Sequence, residues 1–264
     1  LRYPSSIGHR FTDITLRELK VGGGGFLLPA EEDRFRRMLW RHGKAFAFSP
    51  EEIGCVDAAV MEPMVIFTVP HVPWNLELIP VPRAHIPKLM EMLKQKVDMG
   101  ILKPSSAPYS NRWYTMPMKN GTLPFIQDLQ PVNKVTIQNA GIRPTIDKFA
   151  EAFTGRLIYS VGGDLYSGYD QFQLAVESRD ITTMRTPLSL VRMCTLPQGG
   201  TNSVAHMVIA MNKVLRDCIP DVTMSFLDDI PIKGCPVEDK DETIGPDGCQ
   251  KFVVDHVDDY EKVL

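Results

Sequence analysis

Apolar residues recur at intervals of three and four positions in several stretches of the chain, which is the spacing that lines one face of an α-helix. The first two stretches are 31–42 and 86–97, and Gly100 follows the second as a stop signal. The same pattern predicts further helices over 145–153, 203–217 and 250–264.

Shorter apolar runs between turn residues predict strands. Segments 113–118 and 123–129 flank the dipeptide Asn120-Gly121, which favours a tight hairpin turn. Further strands are predicted over 157–161, 222–227 and 230–233. Because helices and strands are mixed without regular alternation, the pattern predicts an α+β fold with a mainly antiparallel sheet.

Length and composition narrow the class of protein. The 264 residues, with 44% hydrophobic and 23% charged positions, are typical of a globular protein with a sizeable core. No apolar run is long enough for a membrane span, so no membrane partner is expected. The five cysteines form no CxxC pair, and their odd number favours a reducing compartment. Because residue 1 is Leu, the chain is expected to be part of a longer polypeptide.

Charge is unevenly distributed along the chain, although the net charge is only -3. Residues 83–143 contain nine Lys or Arg and three Asp or Glu, a balance of +6. Residues 221–264 contain four Lys and twelve acids, a balance of -8. The two regions could be a polyanion track and a metal site, or two differently solvated faces.

Three carboxylates stand at the ends of predicted strands. Asp228 and Asp229 interrupt the apolar octet SFLDDIPI, and Asp164 follows the strand over 157–161. Aspartates are common in turns, where the side chain bonds the nearby backbone, so a structural role is one interpretation. Three converging carboxylates could instead hold two hard cations such as Mg²⁺, about 3.5–4 Å apart.

Four motifs occur in a fixed order, and their order is specific. They are GGDLYSGYDQ, TPL, LPQGGTNS and FLDDIPIKG. Together they resemble the reverse transcriptases of gypsy-type LTR retrotransposons, in particular those of fungal elements, over residues 51–264. The resemblance implies RNA-directed DNA polymerase activity and a right-hand polymerase fold with fingers and palm.

The resemblance also implies a division of the chain. Residues 1–50 would be a linker and N-terminal extension, and 51–143 the N-terminal arm and fingers. The first part of the palm would be 144–173, the second part of the fingers 174–197, and the second part of the palm 198–264. The chain would then end before the thumb, and the RNase H and integrase segments of the polyprotein would lie elsewhere.

The site residues implied by the family follow from the matching motifs. Asp164, Asp228 and Asp229 would be catalytic metal ligands, joined by the carbonyl group of Leu165. The two ions would be Mg²⁺, with Mn²⁺ as an alternative. The residues implied in dNTP binding are Lys119, Ser167, Gly168, Tyr169 and Gln198. Among them, the ring of Tyr169 would exclude a ribose 2′-hydroxyl group.

Each of these residues also has a structural interpretation. Tyr169 could be a core aromatic residue, Gln198 could begin a helix, and Lys119 could be a solvated turn residue. Asp128 and Asn133, in QDLQPVN, also match the family, but a structural role is favoured for both.

The sequence departs from the family pattern in two motifs. Pro124 occupies a position at which relatives usually carry an Arg that contacts the triphosphate, and proline has no donor to offer. Gly200 follows LPQG, where a bulky aromatic residue is common.

Two functions are therefore expected. The first is an active reverse transcriptase that uses dNTPs and a primed RNA or DNA template, in cytoplasmic virus-like particles or in the nucleus. The basic excess of residues 83–143 would then neutralise template phosphates. The alternative is a decayed or domesticated copy that binds nucleic acid or a partner without catalysis. Pro124 favours the alternative, and the intact aspartates favour the enzyme.

Overall fold

The computed structural model describes residues 11–116, 124–141 and 145–264, with the backbone alone for residues 18, 159 and 161–164. The helices of this described part are α1 (Asp13–Glu18), α2 (Pro29–Arg41), α3 (Ile86–Asp98), α4 (Gln130–Val135), α5 (Ile146–Phe153), α6 (Gly168–Gln171), α7 (Ser203–Val214) and α8 (Lys251–Val263). Its strands are β1 (Leu102–Pro104), β2 (Trp113–Thr115), β3 (Phe125–Gln127), β4 (Tyr159–Asp164), β5 (Met184–Arg185), β6 (Leu190–Met193) and β7 (Asp229–Lys233). In this part of the chain, no helix is both long and apolar enough to cross a bilayer.

The predicted helices are confirmed as α2, α3, α5, α7 and α8, with ends that shift by a few residues. Gly100 follows α3 with φ +76°, the left-handed conformation that ends a helix cheaply only at glycine. β2 and β3 pair in antiparallel register as predicted, from Trp113 opposite Gln127 onward. The Asn120-Gly121 turn lies outside the described residues.

The predicted strand over 222–227 is wrong. Only isolated bridges form there, one joining Thr223 to Ile232 and one joining Phe226 to Asp229. The strands of the described chain are antiparallel, as expected, but they form three small sheets rather than one: β1-β6-β5, β2-β3 and β4-β7.

The chain divides into two compact units. Unit 1 comprises Leu1–Pro4, Ile53–Arg143 and Ser167–Ala210, and unit 2 comprises Ser5–Glu52, Pro144–Tyr166 and Met211–Leu264. The last stretch of unit 1, Ser167–Ala210, contains the 174–197 expected for the second part of the fingers and extends beyond it at both ends.

The core of unit 1 packs α3 against its sheets. Leu89 and Leu93 of α3 are fully buried together with Leu102 of β1 and Met184 of β5. Trp113 of β2 joins this cluster, and its indole N–H donates to the carbonyl of Arg185 at 2.5 Å. The amphipathic face predicted for α3 is thus the face that supports the sheet.

The core of unit 2 corrects the expectation of an N-terminal linker. Phe11 and three residues of α2, namely Phe35, Met38 and Leu39, are buried against Ile232 of β7 and the apolar face of α8. Glu31 is fully buried between the two helices, where its carboxylate accepts the backbone N–H of Leu28 at 2.7 Å and that of Gln250 at 2.8 Å. One side chain therefore caps both α2 and α8, since helix N-termini leave such donors without partners.

His256 of α8 lies inside unit 2, only 1% exposed. Its Nε2 is 2.9 Å from Ser160 Oγ, and its Nδ1 is 3.2 Å from the carbonyl oxygen of Lys233. Burial lowers the pKa of this imidazole, because the charged form would lose its hydration. The ring is therefore neutral, with Nδ1–H donating to Lys233 and Nε2 accepting from Ser160.

Met38→Ala tests whether residues 11–41 belong to the core of unit 2. Met38 is 0% exposed, so its truncation is expected to lower the free energy of unfolding by about 2–5 kcal/mol. Ile14→Ala, at a position 70% exposed, is the control and should change it by less than about 0.5 kcal/mol. Urea unfolding followed by circular dichroism measures both, and equal effects would restore the linker interpretation.

The lowered pKa of His256 predicts a loss of stability in mild acid. As the pH falls below the ordinary value of 6.5, the unfolded chain takes up a proton at this residue before the folded chain does. The contribution to the free energy of unfolding is therefore complete above pH 6.5 and declines between 6.5 and the lower folded-state pKa.

Urea unfolding at about pH 7.5 and about pH 5.5 should show a smaller decrease for His256→Gln than for the wild type. His206, whose pKa burial also lowers, titrates in both proteins and cancels in the comparison. Identical decreases would mean that His256 is not neutral in the folded protein.

Candidate active site

Strands β4 and β7 of unit 2 are distant in the chain and pair in antiparallel fashion, which brings the three aspartate positions together. Residues 223–232 form a hairpin, with its tip at the 226–229 turn and β7 in its second arm. Val161 lies opposite Pro231, and Asp164 lies opposite Asp229. Two residues of β4 but only one of β7 separate these pairs, so the register shifts through a bulge at Gly162-Gly163. Residues directly opposite in an antiparallel pair have Cα atoms about 4.5–5.5 Å apart. The backbone thus places Asp164 beside Asp229, as the sequence predicts.

A two-residue turn holds Asp228 at the tip. The N–H of Phe226 donates to the carbonyl of Asp229 at 2.9 Å, and the N–H of Asp229 returns the bond at 3.0 Å. Leu227 adopts φ +59°, which is rare for a branched side chain and must be held by its surroundings. The N–H of Leu165 donates to the carbonyl of Asp228 at 3.2 Å, so the tip is tied to the residue that follows Asp164.

The carboxylates at the tip have no cationic partner in the described part of the chain. Asp229 is exposed and Asp228 is half-buried, and no ion pair reaches either one there. Oxygen donors of this kind suit a hard divalent cation. Among the described side chains, no three acidic, His or Cys residues form a complete metal cluster, and Asp164 is described by its backbone alone.

The base of the hairpin is buried in the core of unit 2. Along β7 the exposure falls from Asp229 to a buried Ile232 and Lys233. Gly234 directly follows β7, and a Cβ atom there would lie 2.3 Å from the carbonyl oxygen of Ile158, the residue before β4. At the other end of the hairpin, Phe226 packs on Phe149 with ring centroids 5.0 Å apart. The buried base therefore fixes a polar tip.

In unit 1, the predicted nucleotide-contacting residues lie on two turns. Ser167 adopts the left-handed conformation, with φ 52° and ψ 47°, and starts the short helix α6, in which Gly168 is buried and Tyr169 half-buried. Ser167 Oγ donates to Asp170 Oδ2 at 2.8 Å. The turn is thus closed by Asp170, a residue that sequence reasoning missed.

Gln198 lies on the second turn and does not begin a helix, because α7 starts only at Ser203. Its side chain is exposed, and Gly199 takes φ +87° within the turn. A Cβ atom at Gly200 would lie 2.6 Å from Ser203 Oγ, which donates to the carbonyl of Pro197 at 2.7 Å. A side chain at this position would therefore displace Ser203, which fits the glycine found there.

The structural interpretation of Asp128 and Asn133 is supported. Asp128 Oδ1 accepts the N–H of Gln130 at the start of α4, at 3.0 Å. Asn133 donates to the carbonyl of Gly199 at 3.0 Å and accepts the N–H of Thr201 at 2.9 Å. Both residues therefore shape unit 1, and Asn133 holds the turn that carries Gln198.

Two positions of interest remain, and only one of them belongs to the described residues. Lys119 lies outside the described residues. Pro124 is half-buried and directly precedes β3.

The fold is similar to that of solved reverse transcriptases. Residues 122–244 match the family described as reverse transcriptase (RNA-dependent DNA polymerase). The structure also resembles the crystal structure of prototype foamy virus protease-reverse transcriptase, with a TM-score of 0.74 over 90% of this chain and 30% of that one, at 17% identity. A foamy viral protease-reverse transcriptase in complex with an RNA/DNA hybrid gives a TM-score of 0.67 over 81% of this chain and 28% of that one, at 17% identity.

Relatives in sequence are polyproteins of LTR retrotransposons. The Pol polyprotein of transposon gypsy from Drosophila melanogaster is 29% identical over 53% of this chain and 14% of its own length. The transposon Tf2-3 polyprotein of Schizosaccharomyces pombe is 24% identical over 58% of this chain and 11% of its own length. The chain thus spans less than a fifth of the length of these curated relatives, and the predicted resemblance to gypsy-type reverse transcriptases is confirmed.

Gly234→Ala tests the close approach that fixes the hairpin. The added methyl group would collide with the backbone of Ile158, so the free energy of unfolding should fall by about 2 kcal/mol or more. Gly23→Ala is the control in the same unit, since nothing lies within 4 Å of a Cβ atom there. Urea unfolding compares the two, and a neutral Gly234→Ala would contradict the packing at the base of the hairpin.

Proposed function

We propose that the chain is the fingers and palm region of an RNA-directed DNA polymerase that transfers nucleotides from dNTPs to a primer 3′-hydroxyl group. The observation that carries the proposal is the register of the β4–β7 strand pair, with Asp164 opposite Asp229 and Asp228 at the adjoining tip. The family match of residues 122–244 supports the same reaction.

The chemistry proposed for this strand pair is two-metal phosphoryl transfer. Two divalent ions, Mg²⁺ or Mn²⁺, would supply activation of the 3′-hydroxyl group and neutralisation of the leaving pyrophosphate. Asp164, Asp228 and Asp229 would provide the oxygen ligands, joined by the carbonyl of Leu165. The new bond joins the primer O3′ to the α-phosphorus of the dNTP, the bond from that phosphorus to the bridging oxygen breaks to release pyrophosphate, and the hydroxyl proton passes to solvent.

The residues of unit 1 would bind the nucleotide. Backbone N–H groups of Ser167 and Gly168 would contact the triphosphate together with Lys119. Tyr169 would lie under the sugar and exclude a 2′-hydroxyl group, and the exposed Gln198 would contact the nucleotide near its 3′ side. A primed RNA or DNA template is the expected partner, since a structural relative is a reverse transcriptase in complex with an RNA/DNA hybrid.

One observation favours a second function, a domesticated copy that binds nucleic acid without catalysis. Pro124, directly before β3, cannot donate the hydrogen bonds that an Arg would give to a triphosphate. In that case the fold would remain while polymerisation would be lost.

Primer extension on poly(rA)·oligo(dT) separates the two functions. The chain is assayed within a full-length polyprotein, with Mg²⁺ or Mn²⁺ and dTTP. We expect extension by the wild type and a decrease of at least about 100-fold for Asp228→Asn, which keeps the shape but removes the charged ligand. Asp217→Asn, at an exposed aspartate of unit 2, is the matched control and should keep full activity.

Mn²⁺ binding to the 264-residue chain, followed by electron paramagnetic resonance, provides a second measurement that needs no catalysis. Asp228→Asn should weaken binding and Asp217→Asn should not. A folded wild type that never extends the primer would favour the domesticated copy. An Asp228→Asn variant as active as the wild type would overturn the two-metal proposal.

A further inference from the structure

Asp170 is the acidic residue of the 167–171 turn, which also carries Tyr169. Its side chain is only 12% exposed, and it is met by a cation and two hydroxyl groups. Lys96 Nζ lies 3.1 Å from Oδ2, Ser167 Oγ donates to Oδ2 at 2.8 Å, and Thr195 Oγ1 donates to Oδ1 at 3.2 Å. A carboxylate removed from water in this way is stable only while these partners are in place.

The three partners come from different segments of unit 1. Lys96 belongs to α3, the helix whose Leu89 and Leu93 are fully buried. Thr195 is itself fully buried and lies three residues before Gln198. The Asp170 carboxylate therefore fastens the turn with Tyr169 both to the core helix and to the segment leading to Gln198.

The turn needs such a restraint because of its backbone conformation. Ser167 takes the left-handed conformation, which residues other than glycine adopt rarely and which must be held by neighbouring contacts. The N–H of Asp170 donates to the carbonyl of Ser167 at 2.8 Å, while Ser167 Oγ donates to the Asp170 carboxylate. These two reciprocal bonds fix the backbone on both sides of Tyr169.

We propose that Asp170 is a positioning residue for the incoming nucleotide, with Lys96 as its counter-charge. It holds the 167–171 turn so that the side chain of Tyr169 keeps a fixed position relative to the turn that carries Gln198. Its loss would therefore weaken nucleotide binding and selection against ribonucleotides more than it would slow the chemical step. This inference rests on the proposed polymerase function.

The first test is steady-state primer extension by the full-length polyprotein carrying Asp170→Asn, which keeps the size of the side chain but leaves Lys96 without a counter-charge. We expect KM for dTTP to rise about tenfold while kcat changes less than about threefold. The preference for dTTP over UTP should fall by a similar factor. Lys96→Met should show the same pattern, and the double variant should cost less than the sum of the two single variants.

Asp180→Asn is the matched control, since Asp180 forms an ion pair with Arg192 elsewhere in unit 1. It should leave KM and the dTTP preference unchanged. If the role of Asp170 were purely structural, Asp170→Asn and Lys96→Met would lower thermal stability without changing the nucleotide preference. That result would overturn the proposal.

The second test needs no activity and uses hydrogen exchange on the 264-residue chain. Asp170→Asn should accelerate amide exchange in peptides covering 167–171 and 195–199, and Asp180→Asn should not. Unchanged exchange there would overturn the positioning role even if the wild type polymerises. A wild type that extends no primer, with exchange altered as expected, would instead overturn the proposed function and with it the role in nucleotide selection.

Discussion

The antiparallel pairing of β4 with β7 is the constraint on which the candidate site depends. Three carboxylate positions, distant in the chain, meet because the bulge at Gly162-Gly163 sets Asp164 opposite Asp229. Two adjacent aspartates can interrupt an apolar octet because β7 passes from an exposed tip to a buried base at Ile232 within four residues. The apolar half of the strand anchors the hairpin, and the charged half remains open to a cation.

The charged residues of unit 2 show a similar contrast between paired and unpaired side chains. Several of its other acids are paired: Arg34 reaches Asp247 and Asp258, and both Arg41 and His42 reach Glu261. Such pairs at the surface add little stability individually. They show, however, that the N-terminal segment supplies cations to the acidic α8, whereas Asp228 and Asp229 have no cation among the described residues. Among the described residues, six of the twelve acids of 221–264 thus form ion pairs, and Asp228 and Asp229 are among the six that do not.

In unit 1, hydrogen bonds from side chains hold the turns that carry the predicted nucleotide-contacting residues. In the hairpin of unit 2, backbone hydrogen bonds between strands hold the aspartates. Asn133 holds the turn of Gln198 through Gly199 and Thr201, and Asp170 closes the turn of Tyr169. Both turns rest on a core built from α3 and the short strands. Adaptable loops on a rigid scaffold are a common arrangement for binding residues. The polar residues that hold these turns are therefore as informative as the residues expected to touch a nucleotide.

Local pattern alone determined the helices α2, α3, α5, α7 and α8, the β2–β3 pairing and the position of the three aspartates at strand ends, because periodicity and turn chemistry act over a few residues. The four motifs in order also determined the family resemblance. Tertiary structure decided what depends on partners far away in the chain. The family division makes residues 1–50 a linker and N-terminal extension, but α8, more than 200 positions later, buries Phe11 and Met38. The contacts of Asp170 with Lys96 and Thr195 likewise form only on folding, and no sequence period records contacts of that range.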